Sequence, residues 1–288
     1  MKSVTVPLHS QHLSKRRCVL CAVNRMSHLD ALARRFKEKD IEKLQAICQE
    51  ESKEDGIPRM SPAAIKLTCL QNDGCYESPE LNDKLYLHFR AYRKIENLAP
   101  YVNVKTVWLD SNGITTIEGL ECLQQLRTLF LSKNLISSIQ GLSSLSYLSL
   151  IDLSDNRLGT LEGLADCQSL ETLNISRNAL TTAESIQTLT KCMRLQTLDM
   201  THNLLEEKED ILQVFQNIPA LVTLSVTGNE VCKLPSFRKR LIATVPKLGF
   251  LDRPIEELER VGANAFATGG YKAEQEARDA YKARVSQK

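Results

Sequence analysis

The residues best suited to bind a metal ion lie close to the beginning of this sequence. His9, His12, Cys18 and Cys21 form the pattern H-x2-H-x5-C-x2-C. Imidazole nitrogens and thiolates are the usual ligands of zinc, but the middle spacer is short for a zinc finger, and the flanking residues offer no hydrophobic core to hold the ligands. We therefore predict that the chain has no metal site and needs no cofactor.

The sequence carries none of the common catalytic motifs. It lacks the phosphate-binding loop G-x-x-x-x-G-K-[ST], the nucleophile elbow G-x-S-x-G and the zinc-protease pair H-E-x-x-H. His88 and His202 fall in or just after predicted strands, where polar residues that face the solvent are expected without any special role. We predict that the protein is not an enzyme.

A short phrase, leucine-x-leucine-x-x-asparagine-x-apolar, recurs through the middle of the chain. Four clear copies are VWLDSNGI, LFLSKNLI, IDLSDNRL and LNISRNAL, and an imperfect earlier copy has Arg90 in place of the asparagine. The asparagines are separated by 22, 22, 22, 25 and 26 residues, and they are Asn112, Asn134, Asn156, Asn178, Asn203 and Asn229. A self-similar period of this length is typical of a leucine-rich-repeat solenoid. We therefore predict an α/β fold with parallel strands on the concave face.

The physical chemistry of one repeat explains these residue types. In the strand L-x-L, alternate side chains point to opposite faces, so the leucines enter the core and the residue between them faces outward. The asparagine turns the chain after the strand, because its amide can bond backbone groups that no sheet ladder satisfies. Segments of the type I-E-G-L, which begin at Ile117, Ile139 and Leu161, then return apolar residues to the core along the convex side.

Patterning divides the chain into five segments, which are 1–55, 56–79, 80–232, 233–254 and 255–288. The first is basic, and we expect it to contain one helix that starts near Ser27. The second is a helical cap with Ser61 as the N-cap and Pro62 at the first helical position. The third holds the repeats and the fourth is a helical C-terminal cap. The fifth is predicted as a helical tail that is interrupted at Gly269 and Gly270, and its last piece, from Tyr271, is expected to be an exposed helix without a core of its own.

The composition is that of an ordinary globular protein. Of 288 residues, 42% are hydrophobic and 25% are charged, and the formal net charge of +2 gives no overall attraction to nucleic acid or to an anionic membrane. No apolar run is long enough to span a membrane. The nine cysteines are scattered, and Cys122, Cys167 and Cys192 fall at apolar positions, which indicates reduced core thiols in a cytosolic protein. We expect a monomer.

The residues between the paired apolar residues of the strands form a row that faces outward. In chain order this outward row is Tyr86, Trp108, Phe130, Asp152, Asn174 and Asp199. Neighbouring aromatic side chains are costly to expose to water and are typical of interface hot spots, so we predict that the outward row binds a protein partner. The alternative is that the N-terminal helix folds over the three rings and makes them part of the core.

Stretches on both sides of the repeats resemble one family. Before the repeats lie ELNDKLYLHF, from Glu80, and IENL, from Ile95; after them lie LDRP, from Leu251, and an alanine-rich stretch followed by GGYKAEQE. Together they resemble the leucine-rich-repeat axonemal dynein assembly factors. The resemblance implies a non-catalytic scaffold for cytoplasmic preassembly of axonemal dynein arms and for motility of the cilium or flagellum. It implies dynein chains, co-assembly factors or chaperones as partners, in the cytoplasm and the cilium.

Two other functions are compatible with repeats of this type. A regulatory subunit of a protein phosphatase is the alternative, because the same repeats serve that role. A ribonucleoprotein component is disfavoured, since the concave face lacks lysine or arginine clusters interleaved with its aromatic residues.

Overall fold

The computed structural model describes residues 37–53, 55–72 and 74–286, and these form a solenoid built on one sheet. The strands are β1 (Lys84–Tyr86), β2 (Thr106–Trp108), β3 (Thr128–Phe130), β4 (Leu150–Asp152), β5 (Thr172–Asn174), β6 (Thr197–Asp199), β7 (Thr223–Ser225), β8 (Phe250–Leu251) and β9 (Arg253–Pro254). Strands β1 to β8 are parallel and lie in sequence order. The predicted leucine-rich-repeat fold is therefore confirmed, with an antiparallel β9 that the sequence did not predict. The zinc-type residues His9, His12, Cys18 and Cys21, and the helix start at Ser27, lie outside the described residues.

Burial along each strand alternates as the period of two requires. The central residues of β1 to β7 are at most 1% exposed, and they are Leu85, Val107, Leu129, Ile151, Leu173, Leu198 and Leu224. The residue two positions later in each repeat is also buried, while the residue between them is partly exposed. Because the buried side chains of each repeat pack against those of the neighbouring repeats, one continuous core runs through the solenoid.

An asparagine closes the turn that follows each strand from β2 to β7. The Asn156 amide nitrogen donates to the carbonyl oxygens of Leu153 at 3.0 Å, in its own repeat, and Leu131 at 2.9 Å, in the preceding one. Its oxygen accepts from the backbone nitrogen of Ile136 at 3.0 Å. The same set of bonds is made by Asn112, Asn134, Asn178, Asn203 and Asn229. The asparagines thus join each repeat to the one before it.

The backbone at these turns adopts an unusual conformation that we did not predict from the sequence. The residue before each asparagine has a positive φ, and these residues are Ser111, Lys133, Asp155, Arg177, His202 and Gly228. Residues with a Cβ rarely adopt this conformation, and of the six only Gly228 adopts it without steric cost. The asparagine hydrogen bonds hold the turn in place despite this local cost.

Glycine in the I-x-G-L segments has a packing role. A Cβ built on Gly163 would lie 2.0 Å from the carbonyl oxygen of Ile139 in the preceding repeat, and one on Gly141 would lie 2.9 Å from that of Ile117. Real Cβ atoms do not approach this closely, so a larger residue would push neighbouring repeats apart. The glycine is therefore what lets successive convex segments come into contact.

Two helices precede the repeats. The described part of helix α1 covers residues 37–51. Helix α2 (Pro62–Gln71) is capped by Ser61, whose hydroxyl accepts from the backbone nitrogen of Ala64 at 3.2 Å. Helix α2 buries Ile65 against the first repeats, and the Asn97 amide donates to the carbonyl oxygen of Met60 at 2.9 Å. A 3₁₀ turn (Pro79–Leu81) then leads into β1. These contacts cover the apolar end of the solenoid that an open first repeat would expose.

The convex side becomes helical in the later, longer repeats. It contains a 3₁₀ turn (Glu162–Leu164), then α3 (Ala183–Ile186), which continues as a 3₁₀ turn (Gln187–Lys191), and finally α4 (Glu209–Gln216). Helix α4 buries Ile211, Leu212, Val214 and Phe215, as its amphipathic spacing requires. The residues added to the repeats of 25 and 26 residues therefore lie on this side and leave the strands in register.

The C-terminal cap begins with a 3₁₀ turn (Glu230–Lys233) and α5 (Phe237–Thr244) and is completed by β8, β9 and α6 (Glu257–Ser286). The Arg238 side chain joins these pieces, because it bonds the carbonyl oxygen of Leu251 and pairs with Glu259, whose Oε1 lies 2.6 Å from its Nε. The Arg238 guanidinium lowers the pKa of Glu259, so the pair stays charged at neutral pH.

The sequence predicted a helical tail that is interrupted at Gly269 and Gly270, but it did not predict that the tail folds back on itself. Helix α6 is broken at Gly270, where φ is 66° and ψ is −157°, and the chain folds back so that Arg278 lies against Gly262. The Lys239 ammonium of α5 lies 2.6 Å from the Glu274 carboxylate. It also lies over two aromatic rings, 5.1 Å from the Phe266 centroid and 4.9 Å from the Tyr271 centroid. The tail packs through charge and aromatic contacts rather than through the apolar stripe that sequence patterning detects.

The described core gives a direct test of the repeat register. Leu153→Ala, at a position that is 0% exposed, should lower the free energy of unfolding by about 2–5 kcal/mol, because the truncation leaves a cavity between repeats. The control Leu204→Ala, at a position that is 60% exposed in the next-but-one repeat, should change it by less than about 0.5 kcal/mol. Urea denaturation of the two variants measures the difference. Equal effects would contradict the register.

Candidate protein-binding face

The strand register places the residues of the outward row beside one another in space. Tyr86 is paired with Trp108, Trp108 with Phe130, and Phe130 with Asp152. The row continues in register through Asn174 and Asp199. All six side chains are partly exposed. The structure therefore brings together, on one face of the sheet, residues that are spread over more than a hundred positions of the sequence.

The three rings of the row form an aromatic stack. The centroids of Tyr86 and Trp108 are 4.7 Å apart with ring planes at 15°, and those of Trp108 and Phe130 are 5.5 Å apart with planes at 14°. These spacings follow from the distance of about 4.8 Å between neighbouring strands. Because each ring covers part of its neighbour, the stack itself accounts for some of the burial of the three side chains.

Each acidic residue of the face has one carboxylate oxygen held by hydrogen bonds, and the other accepts from no donor among the described residues. Asp152 Oδ1 accepts from the backbone nitrogen of Ser154 at 3.0 Å and from its hydroxyl at 2.7 Å. Asp110, on the neighbouring column, accepts in the same way from Ser132, at 3.1 and 2.9 Å. In the part of the chain that the structure describes, none of the ion pairs includes Asp110, Asp152 or Asp199.

His88 extends the face beside the stack. Its ring lies edge-on to Tyr86, with centroids 6.4 Å apart, and edge-on to Phe89, at 5.4 Å. Its Nδ1 is buried and bonds no protein group among the described residues, while Phe89 is 74% exposed. From the sequence, His88 was predicted only to face the solvent, and Phe89 was not identified as part of the face. Phe89 has a positive φ, and the chain turns there after β1. Both residues enlarge the apolar end of the face.

The described part of helix α1 lies near the turn that follows β1. Burial raises the pKa of the Cys48 thiol of α1, on which the charges of Glu51 and Arg90 also act. Arg90 itself reaches helix α2, with its Nη2 3.5 Å from Gln71 Oε1. The hydrogen bond places α2 beside Arg90, the residue that stands where later repeats have asparagine, and Cys48 of α1 packs against the core.

Other chemistry is not favoured by the described residues. Within 37–53, 55–72 and 74–286, no group of three or more histidine, cysteine, aspartate or glutamate residues has the arrangement of a metal site. The described cysteines are free thiols, and burial raises the pKa of Cys69 and of Cys192 to about 11, which makes them poor nucleophiles at neutral pH. None of the helices in these ranges has the length and hydropathy needed to cross a membrane.

Comparison with protein-family models agrees with the repeat architecture. A leucine-rich-repeat family model matches residues 142–280, and a model for two copies of the leucine-rich repeat matches residues 102–144. Among solved structures, an internalin from Listeria monocytogenes matches with a TM-score of 0.49 and 22% sequence identity, over 60% of this chain and 48% of the internalin.

Curated relatives match over most of this chain. Leucine-rich repeat-containing protein ODA7 of Chlamydomonas reinhardtii is 51% identical over 225 residues, which cover 77% of this chain and 52% of that protein. Dynein axonemal assembly factor 1 of Mus musculus is 48% identical over 240 residues, and that of Homo sapiens is 48% identical over 233 residues. These two alignments cover 83% and 80% of this chain, but 38% and 32% of the relatives. The chain thus spans about half, or less, of the length of these relatives.

The aromatic stack leads to a prediction about stability. Trp108→Ala should lower the free energy of unfolding by about 1–3 kcal/mol, because it removes two stacking contacts worth roughly 0.5–1.5 kcal/mol each from the outside of the core. Phe215→Ala in α4, where the ring is 0% exposed, should cost about 3–5 kcal/mol and serves as the comparison. Chemical denaturation measures both. If Trp108→Ala costs as much as Phe215→Ala, another segment covers the rings and the stack is core.

Proposed function

We propose that this chain, which is similar over most of its length to the leucine-rich-repeat axonemal dynein assembly factors, is a non-catalytic scaffold in the cytoplasmic preassembly of axonemal dynein arms. The observation that carries this proposal is the sequence identity of 48–51% to relatives whose names state that role or contain the repeat. The match covers about four-fifths of the chain. Scaffolding also suits the fold, since a repeat solenoid offers an extended surface for other proteins.

The proposed working surface is the outward row together with Asp110 and His88. Rings held side by side on a rigid sheet lose little conformational freedom on binding, and aromatic residues of this kind commonly supply most of the energy of an interface. In this proposal dynein chains, or co-assembly factors and chaperones that hold them, bind at this face. The protein acts in the cytoplasm, and its effect is seen in the cilium or flagellum.

The alternative role as a phosphatase regulatory subunit is not favoured by any of these observations. The named relatives refer to dynein assembly or to the repeat, and none of those described here refers to a phosphatase. A nucleic-acid role is also disfavoured, because the charged residues on the face from β2 to β6 are acidic and would repel phosphates.

The proposed function predicts a specific cellular defect. Cells that build motile cilia and lack this protein should have immotile cilia whose axonemes have lost dynein arms, while the microtubule doublets remain. Electron microscopy of axoneme cross-sections measures the arms, and immunoblots of the cytoplasm measure unassembled dynein heavy chains. Re-expression of the unmodified gene is the control. Axonemes with normal inner and outer arms in the null cells would refute the proposal.

A further inference from the structure

The outward row changes chemistry between strands β3 and β4. Tyr86, Trp108 and Phe130 stack through their faces, so both faces of Trp108 are covered by its neighbours. On the far side of Phe130, the residue in register on the next strand is Asp152. At the place where a fourth ring would continue the stack, the sheet therefore offers a carboxylate beside an aromatic face.

The described residues do not balance the charge at this place. Asp152 Oδ1 is held by Ser154, and none of the hydrogen bonds or ion pairs among the described residues uses its Oδ2. In the outward columns of strands β2 to β6 the charged residues are Asp110, Asp152 and Asp199, and all three are acidic. A group that binds here gains attraction from three carboxylates on one surface, so charge complementarity requires a cation.

The geometry favours a planar cation over a compact one. A guanidinium can lie flat on an aromatic face while its N–H groups donate to a carboxylate at its edge. An ammonium is a more strongly hydrated point charge, and it makes neither the planar stacking contact nor the paired hydrogen bonds. A guanidinium placed on the outer face of Phe130 becomes the next member of the stack, within reach of Asp152.

We propose that this face binds an arginine-containing basic segment of a partner protein, with one arginine stacked on Phe130 and paired with Asp152. Asp110 and Asp199 provide further attraction for basic residues on either side of that arginine. The inference rests on the proposed function, since it gives the chemistry of the partner segment that the scaffold recognises. The ligand of this face is therefore a basic protein segment, and acidic peptides and nucleic acid should not bind there.

The test uses the full chain and the fluorescence of Trp108, the only tryptophan in the sequence. The probe is a short synthetic peptide of alternating arginine and serine, titrated at low and at physiological ionic strength. We expect saturable change in Trp108 emission, with binding weakened about tenfold when lysine replaces arginine in the peptide. A matched glutamate–serine peptide should not bind.

Substitutions in the chain assign the site. Asp152→Asn and Phe130→Leu should each weaken binding of the arginine peptide about tenfold, since each removes one of the two contacts of the guanidinium. Glu162→Gln is the matched control, because it removes a charge from an exposed residue of the convex 3₁₀ turn and should leave binding unchanged. Circular dichroism melts establish that the variants are folded before they are titrated.

Three results would overturn the proposal. The first is that the arginine and lysine peptides bind equally well and that neither Asp152→Asn nor Phe130→Leu weakens this binding. The second is no change in Trp108 emission with any basic peptide. The third is a shift of Trp108 emission, without peptide, in the full chain carrying Arg16→Gln and Arg17→Gln, which would assign the face to the chain's own basic residues. None of these results bears on the loss of dynein arms in null cells, so the two proposals fail separately.

Discussion

The asparagine amide that follows each strand from β2 to β7 is the constraint on which the solenoid depends. Each amide bonds the carbonyl oxygens of two successive repeats and accepts from a backbone nitrogen of the earlier one, and Asn203 does so at 3% exposure. Burying these backbone groups without partners would cost roughly 1–3 kcal/mol for each group. The position of every strand relative to its neighbour is therefore fixed, and a slip by one residue would turn the leucines out of the core.

The fixed register is also what creates the proposed binding face. Residues one repeat apart are brought to neighbouring strands, so Tyr86, Trp108 and Phe130 stack although each is 22 residues from the next. Longer repeats place their added residues on the convex side, in α3 and α4, where the sheet is not disturbed. The length of a repeat can thus vary on the convex side, while the strand side keeps its rows of side chains in register. This division is expected of an interaction scaffold.

The sequence predicted the parts of the structure that repeat, because residue type and spacing there agree at every turn. The strands, the asparagine corners, the cap beginning at Ser61 and the membership of the outward row were all accessible in this way. The positive φ at Lys133 and Asp155 was not, since the side chains carry no sign of a conformation imposed by the neighbouring asparagine. The folded-back tail was missed because Lys239 and Glu274 meet through charge across 35 positions, and periodicity detects only apolar faces.

The central claim is that the function resides on the strand face rather than on the convex side. It is tested most directly by re-expressing variants in cells that lack the protein and counting dynein arms in axoneme cross-sections. Phe130→Ala removes a ring from the face, and Tyr147→Ala removes one that is 55% exposed and precedes β4, outside the face. We expect that both variants accumulate to normal levels, that Tyr147→Ala restores the arms, and that Phe130→Ala leaves them depleted. Full restoration of arms by both variants would contradict it.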